Sequence, residues 1–342
     1  MPRIFHVSAE EAEQTLSAQL RRWLPGQPPW SEVRRLILSR HVQVNGNLCL
    51  DAGRRLKPRD VVHVLEHPGA PPAREDDVRI RFLDAHLVVI EKPSGMTSVR
   101  HAEERFWPAK RKQAQPTLED LLPRVIAKKL GGSRGHVSRS RRMADAKKPA
   151  RTPPVRPVHR LDRDTSGLMV FARTVPAERH LGLQFRQHVT GRRYLAVVQG
   201  SISAQTIETQ LVRDRGDGRR GSTNEPNVGK RAVTHVRPLE SLGDYTLVEC
   251  RLETGRTHQI RIHLSEHGHP VCGDKVYQQP MFKPEHVDRS GAPRLALHAT
   301  ELEFEHPVTG QRLHFDMELP QDLELFVARL RAKALKGDSK AR

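Results

Sequence analysis

The amino-acid sequence predicts an α+β protein in two parts, a small αα-β module followed by a larger domain in which strands outnumber helices. Three observations carry that reading. Two short stretches near the amino terminus space their apolar residues as helices do and are followed by alternating, strand-like patterns. A Pro-rich break at residues 68–72 divides the chain. Beyond it, apolar runs of strand length recur, with few stretches of helical period between them. At 342 residues the chain can bury a sizeable core without disulfide or metal support.

Residues 9–24 carry Ala12, Leu16 and Leu20 at four-residue spacing, which is the pattern of a short amphipathic helix. Val33, Leu36 and Ile37 repeat it after the Pro-rich residues 25–29. Val42 and Val44 then alternate with polar residues, Asn45-Gly46 supplies a hairpin turn, Leu48 and Leu50 continue, and residues 61–65 offer another strand. Arg34, Arg35, Arg40 and His41, with Asn45 at the turn, give this module a basic face suited to phosphates. Residues 1–68 are therefore expected to form the small domain, 69–78 a linker, and 79–325 the larger domain. The larger domain opens with a strand over residues 87–90 that ends in the turn Lys92-Pro93-Ser94-Gly95. Further strands are expected over 168–171, 194–198, 245–252 and 295–304, and helices near 118–126, 176–188 and 258–267. Residues 131–154 hold Lys, Arg, Gly and Pro without hydrophobic period, and are expected to form a disordered basic insertion. Such an insertion either touches a nucleic-acid backbone or is a solvated loop.

Lys and Arg number 58 against 40 Asp and Glu, and the resulting charge of +18 favours a polyanionic partner, nucleic acid first, over a merely soluble basic protein. Cys49, Cys250 and Cys272 form no CxxC pair, so neither a disulfide framework nor a zinc ribbon is expected, and a reducing, cytoplasmic setting fits. His267, His269 and Cys272 lack a fourth ligand at a familiar spacing, and no metal is expected. No signal peptide or membrane-spanning run is read, and no membrane partner is expected. Nothing in the sequence fixes the oligomeric state, and a monomer is the simplest expectation.

Three stretches carry chemistry. The first, His159-Arg160-Leu161-Asp162-Arg163-Asp164-Thr165-Ser166-Gly167-Leu168, puts charges where a polar loop enters an apolar strand. That pattern suits either a functional carboxylate or a structural ion pair. In the second, residues 253–263, Gly255 marks a turn and Thr257 can cap a helix on which His258 and Arg261 share a face. Its arginines, histidines and Gln259 suit an anion or base-edge reader, and a solvated helix face would look similar. The third is Arg192-Arg193-Tyr194 at the start of a strand, where a lone tyrosine is more often core than catalyst.

Together and in this order, the three stretches closely resemble the RluA-like family of RNA pseudouridine synthases, with its HRLD-x-x-T-S-G-L loop, K-x-Y strand start and T-G-R-x-H-Q-I-R helix. Further matches are Glu91 to Gly95, Gly229-Lys230 with Ala232 and Thr234, Gly268-His269-Pro270 with Gly273-Asp274, and Leu297-His298-Ala299 with Phe304 and His306-Pro307. The resemblance spans about residues 80 to 318, far more than any lone short motif. The amino-terminal module resembles the S4-like RNA-binding domain of a ribosomal protein, through Val44-Asn45-Gly46 and Leu56 to Asp60. Thr15-Leu16-Ser17 stands where that family has Arg-Leu-Asp.

The resemblance implies a pseudouridine synthase fold, a mixed and mainly antiparallel β-sheet with flanking helices. It implies isomerisation of particular uridines to pseudouridine, in large-subunit ribosomal RNA or, alternatively, transfer RNA. Asp162 is then the essential carboxylate, attacking either the ribose anomeric carbon or the uracil ring. Arg261 is its ionic partner, and Tyr194 stacks on the uracil and relays a proton. Arg192 replaces the family's lysine with the charge kept. Arg160 fills the space left by a nucleotide turned out of its stack, and His159, Arg256, His258 and Gln259 bind substrate. No cofactor is implied, in keeping with a sequence that offers no Gly-rich phosphate loop of a common type. The rival readings are a non-catalytic RNA-binding ribosome-assembly factor and a histidine-dependent nuclease. Asp162, Tyr194 and Arg261 argue against the first, and the second lacks its histidine pair with a lysine.

Overall fold

A computed structural model describes residues 3–45, 47–58, 60–66, 68–69, 74–100, 104, 106–107, 112, 115–132, 155–216, 219–278 and 287–338. Gly46 of the expected hairpin turn and residues 133–154 of the expected insertion lie outside them. The chain packs as two units. One comprises Met1–Pro71, Ala196–Ala296 and Gln321–Arg342, and the other Pro72–Leu195 and Leu297–Pro320. The expected small domain falls wholly in the first unit, and the expected larger domain contributes to both.

The amino-terminal module has β1 (Arg3–His6), α1 (Leu16–Trp23), α2 (Trp30–Leu38), β2 (Val42–Val44), β3 (Asn47–Leu48) and β4 (Val61–Val64). Its sheet runs β1-β4-β2-β3 with antiparallel neighbours. Leu16, Leu20, Val33, Ile37, Val44, Leu56 and Val62 form its core, and each full burial contributes about 1.5–3 kcal/mol. Helix α1 starts later than residue 9 because Glu13 adopts φ 63° and Thr15 caps the helix, its hydroxyl accepting from Ala18 N at 3.3 Å. Part of the expected linker is ordered: a 3-10 turn at Glu75–Asp77 is tied by Lys128 Nζ to Asp76 at 2.6 Å.

The second unit opens with β5 (Arg79–Leu83) and β6 (Leu87–Lys92), then α3 (Leu118–Gly132), β7 (Arg156–Pro157), β8 (Ser166–Ala172), α4 (Val175–Gln187) and the start of β9 (Gly191–Gln199). Strand β6 lies antiparallel between β5 and β8. Every residue of β8 is buried, which explains its unbroken apolar run. Ala177, Leu181 and Phe185 of α4 pack on Leu87, Val89, Leu168 and Val170. Thr174 caps α4 through Ala177 N at 3.3 Å, and Pro176 sits in its first turn.

In the first unit follow β10 (Gln205–Val212), β11 (Gly221–Thr223), β12 (Lys230–Ser241), β13 (Tyr245–Leu252) and α5 (Gln259–Glu266), with strand order β11-β10-β12-β13. The second unit closes with β14 (Leu297–Glu305) and β15 (Arg312–Asp316). Strand β14 pairs parallel with β8 and antiparallel with β15, so antiparallel pairing dominates. Helix α6 (Gln321–Asp338) ends the first unit, and the expected domain end at residue 325 falls inside it. Among the described residues no helix is long and apolar enough to cross a membrane.

Candidate active site

Asp162 sits half-buried in the loop that leads from β7 into β8. Main-chain contacts to the turn after β6 hold this loop. Lys92, 1 % exposed, donates from Nζ to three carbonyls, Pro93 O at 2.9 Å, Met96 O at 2.8 Å and Arg163 O at 2.9 Å. An ammonium has three donors, and burying one costs several kcal/mol unless they are met. The Lys92 bonds to Met96 and Arg163 thus pin the loop to the turn. Ser94 Oγ donates to Asp164 O at 2.7 Å, and Ser98 Oγ donates to Leu161 O at 2.6 Å. Arg163 Nε donates to Gly95 O at 3.0 Å. The peptides on both sides of Asp162 are therefore fixed, so its position is set before any substrate arrives. At the loop's far end Gly167 adopts φ 127°, and a Cβ there would meet Ala299 O at 2.2 Å. Only glycine lets β8 approach β14 so closely.

The loop's other end rests on a stack. The His159 ring lies on Phe185 at 4.4 Å and 12°, and its Nε2 accepts from Val170 N at 3.1 Å. Burial, with Arg192 nearby, pushes the His159 pKa down to about 3, so the ring is neutral. The Arg192 guanidinium lies 5.7 Å from the centroid of the Phe185 ring. Tyr194, two residues along β9, is buried. Burial raises its phenol above the ordinary value, Arg192 opposes the rise, and the charge of Asp162 adds to it. Tyr194 thus feels the charges of both Arg192 and Asp162.

The first unit carries the Thr254-Gly255-Arg256 turn and α5. Gln259, buried at 2 % exposure, uses its whole amide. Its Oε1 accepts from Thr254 Oγ1 at 2.8 Å and Arg256 N at 3.0 Å, and its Nε2 donates to Val233 O at 2.9 Å and Thr234 Oγ1 at 3.0 Å. One turn on, His263 bridges Thr234 Oγ1 and Thr209 Oγ1, each at 2.9 Å. Arg261, 6 % exposed, makes a two-pronged ion pair with buried Asp274, Nε to Oδ2 at 2.6 Å and Nη2 to Oδ1 at 2.8 Å.

The RNA pseudouridylate synthase family model matches residues 86–266, and an S4 domain model matches residues 27–62. The chain belongs to the RNA pseudouridylate synthase family. Over 285 residues it is 38% identical to the "Ribosomal large subunit pseudouridine synthase D" of Zymomonas mobilis, covering 82% of each chain. It is 36% identical over 307 residues to the protein so named in Pseudomonas aeruginosa, covering 84% of this chain and 85% of that one. Among solved structures, Human RNA Pseudouridylate Synthase Domain Containing 4 superposes with TM-score 0.54 at 25% identity, over 74% of this chain and 93% of that one.

For this pseudouridine synthase, the residues expected at the site divide into two groups. Asp162 is half-buried, Arg160 beside it is exposed, and Tyr194 and Arg261 are buried. His258, at φ 61°, shares a 2.7 Å bond between its Nδ1 and Tyr277 Oη, and Arg256 Nε donates to Arg231 O at 3.0 Å. Of the residues expected to bind substrate, His159 through its Nε2 and Gln259 through its whole amide are engaged by the framework just described. In the S4 module Arg34 and Arg35 are exposed, Arg40 Nε donates to Gly69 O at 3.0 Å, and the Asn45 amide bonds Asp60 and the Val61 main chain. His267, His269 and Cys272 do not converge as ligands. His267 and His269 each bond a carbonyl, and burial pushes the Cys272 thiol up to about 12. Glu301, Glu303 and His314 lie close enough to hold a cation, but Arg193 pairs with Glu301 at 2.8 Å and Arg312 with Glu303. Lys92 and Asp274 stand inside motifs visible in the sequence. Their burial, which gives them their roles, is not.

Proposed function

We propose that this pseudouridine synthase acts on large-subunit ribosomal RNA in the cytoplasm, with Asp162 as its essential carboxylate. The names of the relatives support the substrate, and the charge of +18 suits it. The observation that carries the assignment of Asp162 is the clamp of Lys92, Ser94, Ser98 and Arg163 on the main chain around it. A carboxylate held this way can meet a reacting atom without first being ordered. The target uridine turns out of its stack, and Arg160, exposed next to Asp162, fills the gap. Asp162 attacks the nucleoside, and the bond from C1′ to N1 breaks. The base turns while held, a bond from C1′ to C5 forms, the bond between Asp162 and the nucleoside breaks, N1 takes a proton and C5 releases one. Tyr194, kept protonated by its raised pKa, stacks on the uracil and relays that proton. The family resemblance assigns Arg261 the part of ionic partner to Asp162, and within its own unit Arg261 pairs with Asp274. Arg256 and His258 contact the RNA, His159 and Gln259 hold the loops, and the S4 module docks the backbone through Arg34 and Arg35. Substrate and product are isomers, so no redox partner is consumed.

Purified protein should release tritium from ribosomal RNA labelled at uracil C5 with no added cofactor, and Asp162→Asn should release none. Full release by the variant removes the assignment. Release from transfer RNA alone would redirect the substrate.

A further inference from the structure

We propose that Trp30 of the S4 module is a stacking platform for one unpaired base of the RNA, with Arg21 and Arg34 beside it for the adjoining phosphates. The inference deepens the docking role given to the S4 module above and rests on it. The two tryptophans of the module differ in their use. Trp23 serves the fold: it stacks on Phe5 at 4.9 Å and 10°, packs against the core, and its Nε1 donates to Glu11 Oε1 at 2.8 Å. Trp30 opens α2 outside the core cluster and is 51 % exposed. A half-open indole forgoes much of the burial that makes tryptophan stabilising, so the fold gains little from having one there. Its surroundings are ordered all the same. The Arg21 guanidinium, in the last turn of α1, lies 5.2 Å from the centroid of the Trp30 ring. Arg21 Nε donates to Pro28 O at 3.3 Å, which holds that cation in place. Pro28 and Pro29 run directly into Trp30, and their fixed φ narrows the backbone freedom before it. An aromatic surface ordered in advance loses less entropy when a base settles on it. The charge around the ring decides which partner it fits. Helices α1 and α2 carry Arg21, Arg22, Arg34 and Arg35 against the single carboxylate of Glu32. Trp30, Arg34 and Leu38 follow at four-residue spacing and are all exposed, so Arg34 interrupts the apolar residues of that stripe. A protein partner would favour a continuous apolar patch. An aromatic ring among arginines is instead the arrangement that grips single-stranded nucleic acid, a base on the ring and phosphates on the cations.

The test measures binding of the full chain to two uracil-free RNAs, an oligoadenylate strand and a G·C duplex with the same number of phosphates, so that no uridine enters the catalytic pocket. Trp30→Ala should bind the strand about tenfold more weakly, the scale of one lost stack, and the duplex within about twofold of the wild type. Trp30→Phe keeps a ring and should recover most of the loss on the strand. Arg34→Ala should weaken both RNAs alike, because phosphates are common to them, and its effect should shrink with added salt. A ring that only supported the fold would cost both RNAs equally when removed, and that result from Trp30→Ala overturns the inference. Wild-type binding of both RNAs by Trp30→Ala overturns it as well, and leaves a protein as the occupant of the ring. Wild-type binding of both RNAs by Arg34→Ala would instead bring down the docking role of the S4 module itself.

Discussion

Lys92 sets one ammonium against three main-chain carbonyls, and its removal would leave all three without that donor. An orphaned buried polar group costs about 1–3 kcal/mol. Lys92→Met keeps the apolar stem, so its effect isolates the charge and its bonds. We expect it to lose at least about 3 kcal/mol in urea unfolding and to lose tritium release as the loop around Asp162 loosens. A variant as stable and as active as the wild type would show that the clamp does not hold the loop. Gly167 acts at the same scale by absence of a side chain, since any Cβ would collide with Ala299. The motif letters around Asp162 thus have separate physical causes. His159 anchors by stacking, Leu161 is buried, Ser166 Oγ bonds His298 Nδ1 at 2.9 Å, and Gly167 permits the strand contact.

Elements buried on both faces were legible as apolar runs, which is why β6, β8, β9, β13 and β14 fall where the sequence predicts strands. Strand β10 was hidden. Its buried side chains are Ile207 and Leu211, four residues apart, and that spacing fits a helix as well as a half-exposed strand. Strand β12 carries Lys230, Arg231, Arg237 and Glu240 on exposed or partly exposed positions and a bulge at Pro238, features that lower any strand reading. Helix α6 shows full helical spacing in Leu323, Phe326, Val327 and Leu330, and it lies beyond the last matched motif. Among the candidate residues, the motifs marked Asp162, Tyr194 and Arg261, whereas the occupied amide of Gln259 and the ion pair of Asp274 depend on burial that no local pattern records. Helix α5 also makes a pH prediction. His263 is fully buried, and its pKa is lowered to about 4 by burial and by His267. The unfolded chain therefore binds a proton below about pH 6.5 that the folded chain refuses until about pH 4. Stability from this group is present above pH 6.5 and is lost as pH falls through that window, by about 3 kcal/mol in all. His263→Gln should be less stable at pH 7 but show a shallower decline between pH 6.5 and 4.5 in urea unfolding. An unchanged slope would place the acid sensitivity elsewhere.

At the scale of the whole molecule, the proposal gives the basic charge and the S4 module the task of bringing RNA to the protein, and the pinned carboxylate that of reacting with it. These contributions are separable. Changing Asp162 alters one charge among many and leaves the Lys92 clamp in place. Mapping pseudouridines across the ribosomal RNA of cells lacking this gene, with and without a restored copy, tests both parts together. The account predicts that defined large-subunit sites lose modification in the deletion strain, regain it with the wild-type gene, and stay unmodified with Asp162→Asn expressed at the same level. Restoration of those sites by the Asp162→Asn protein would contradict it.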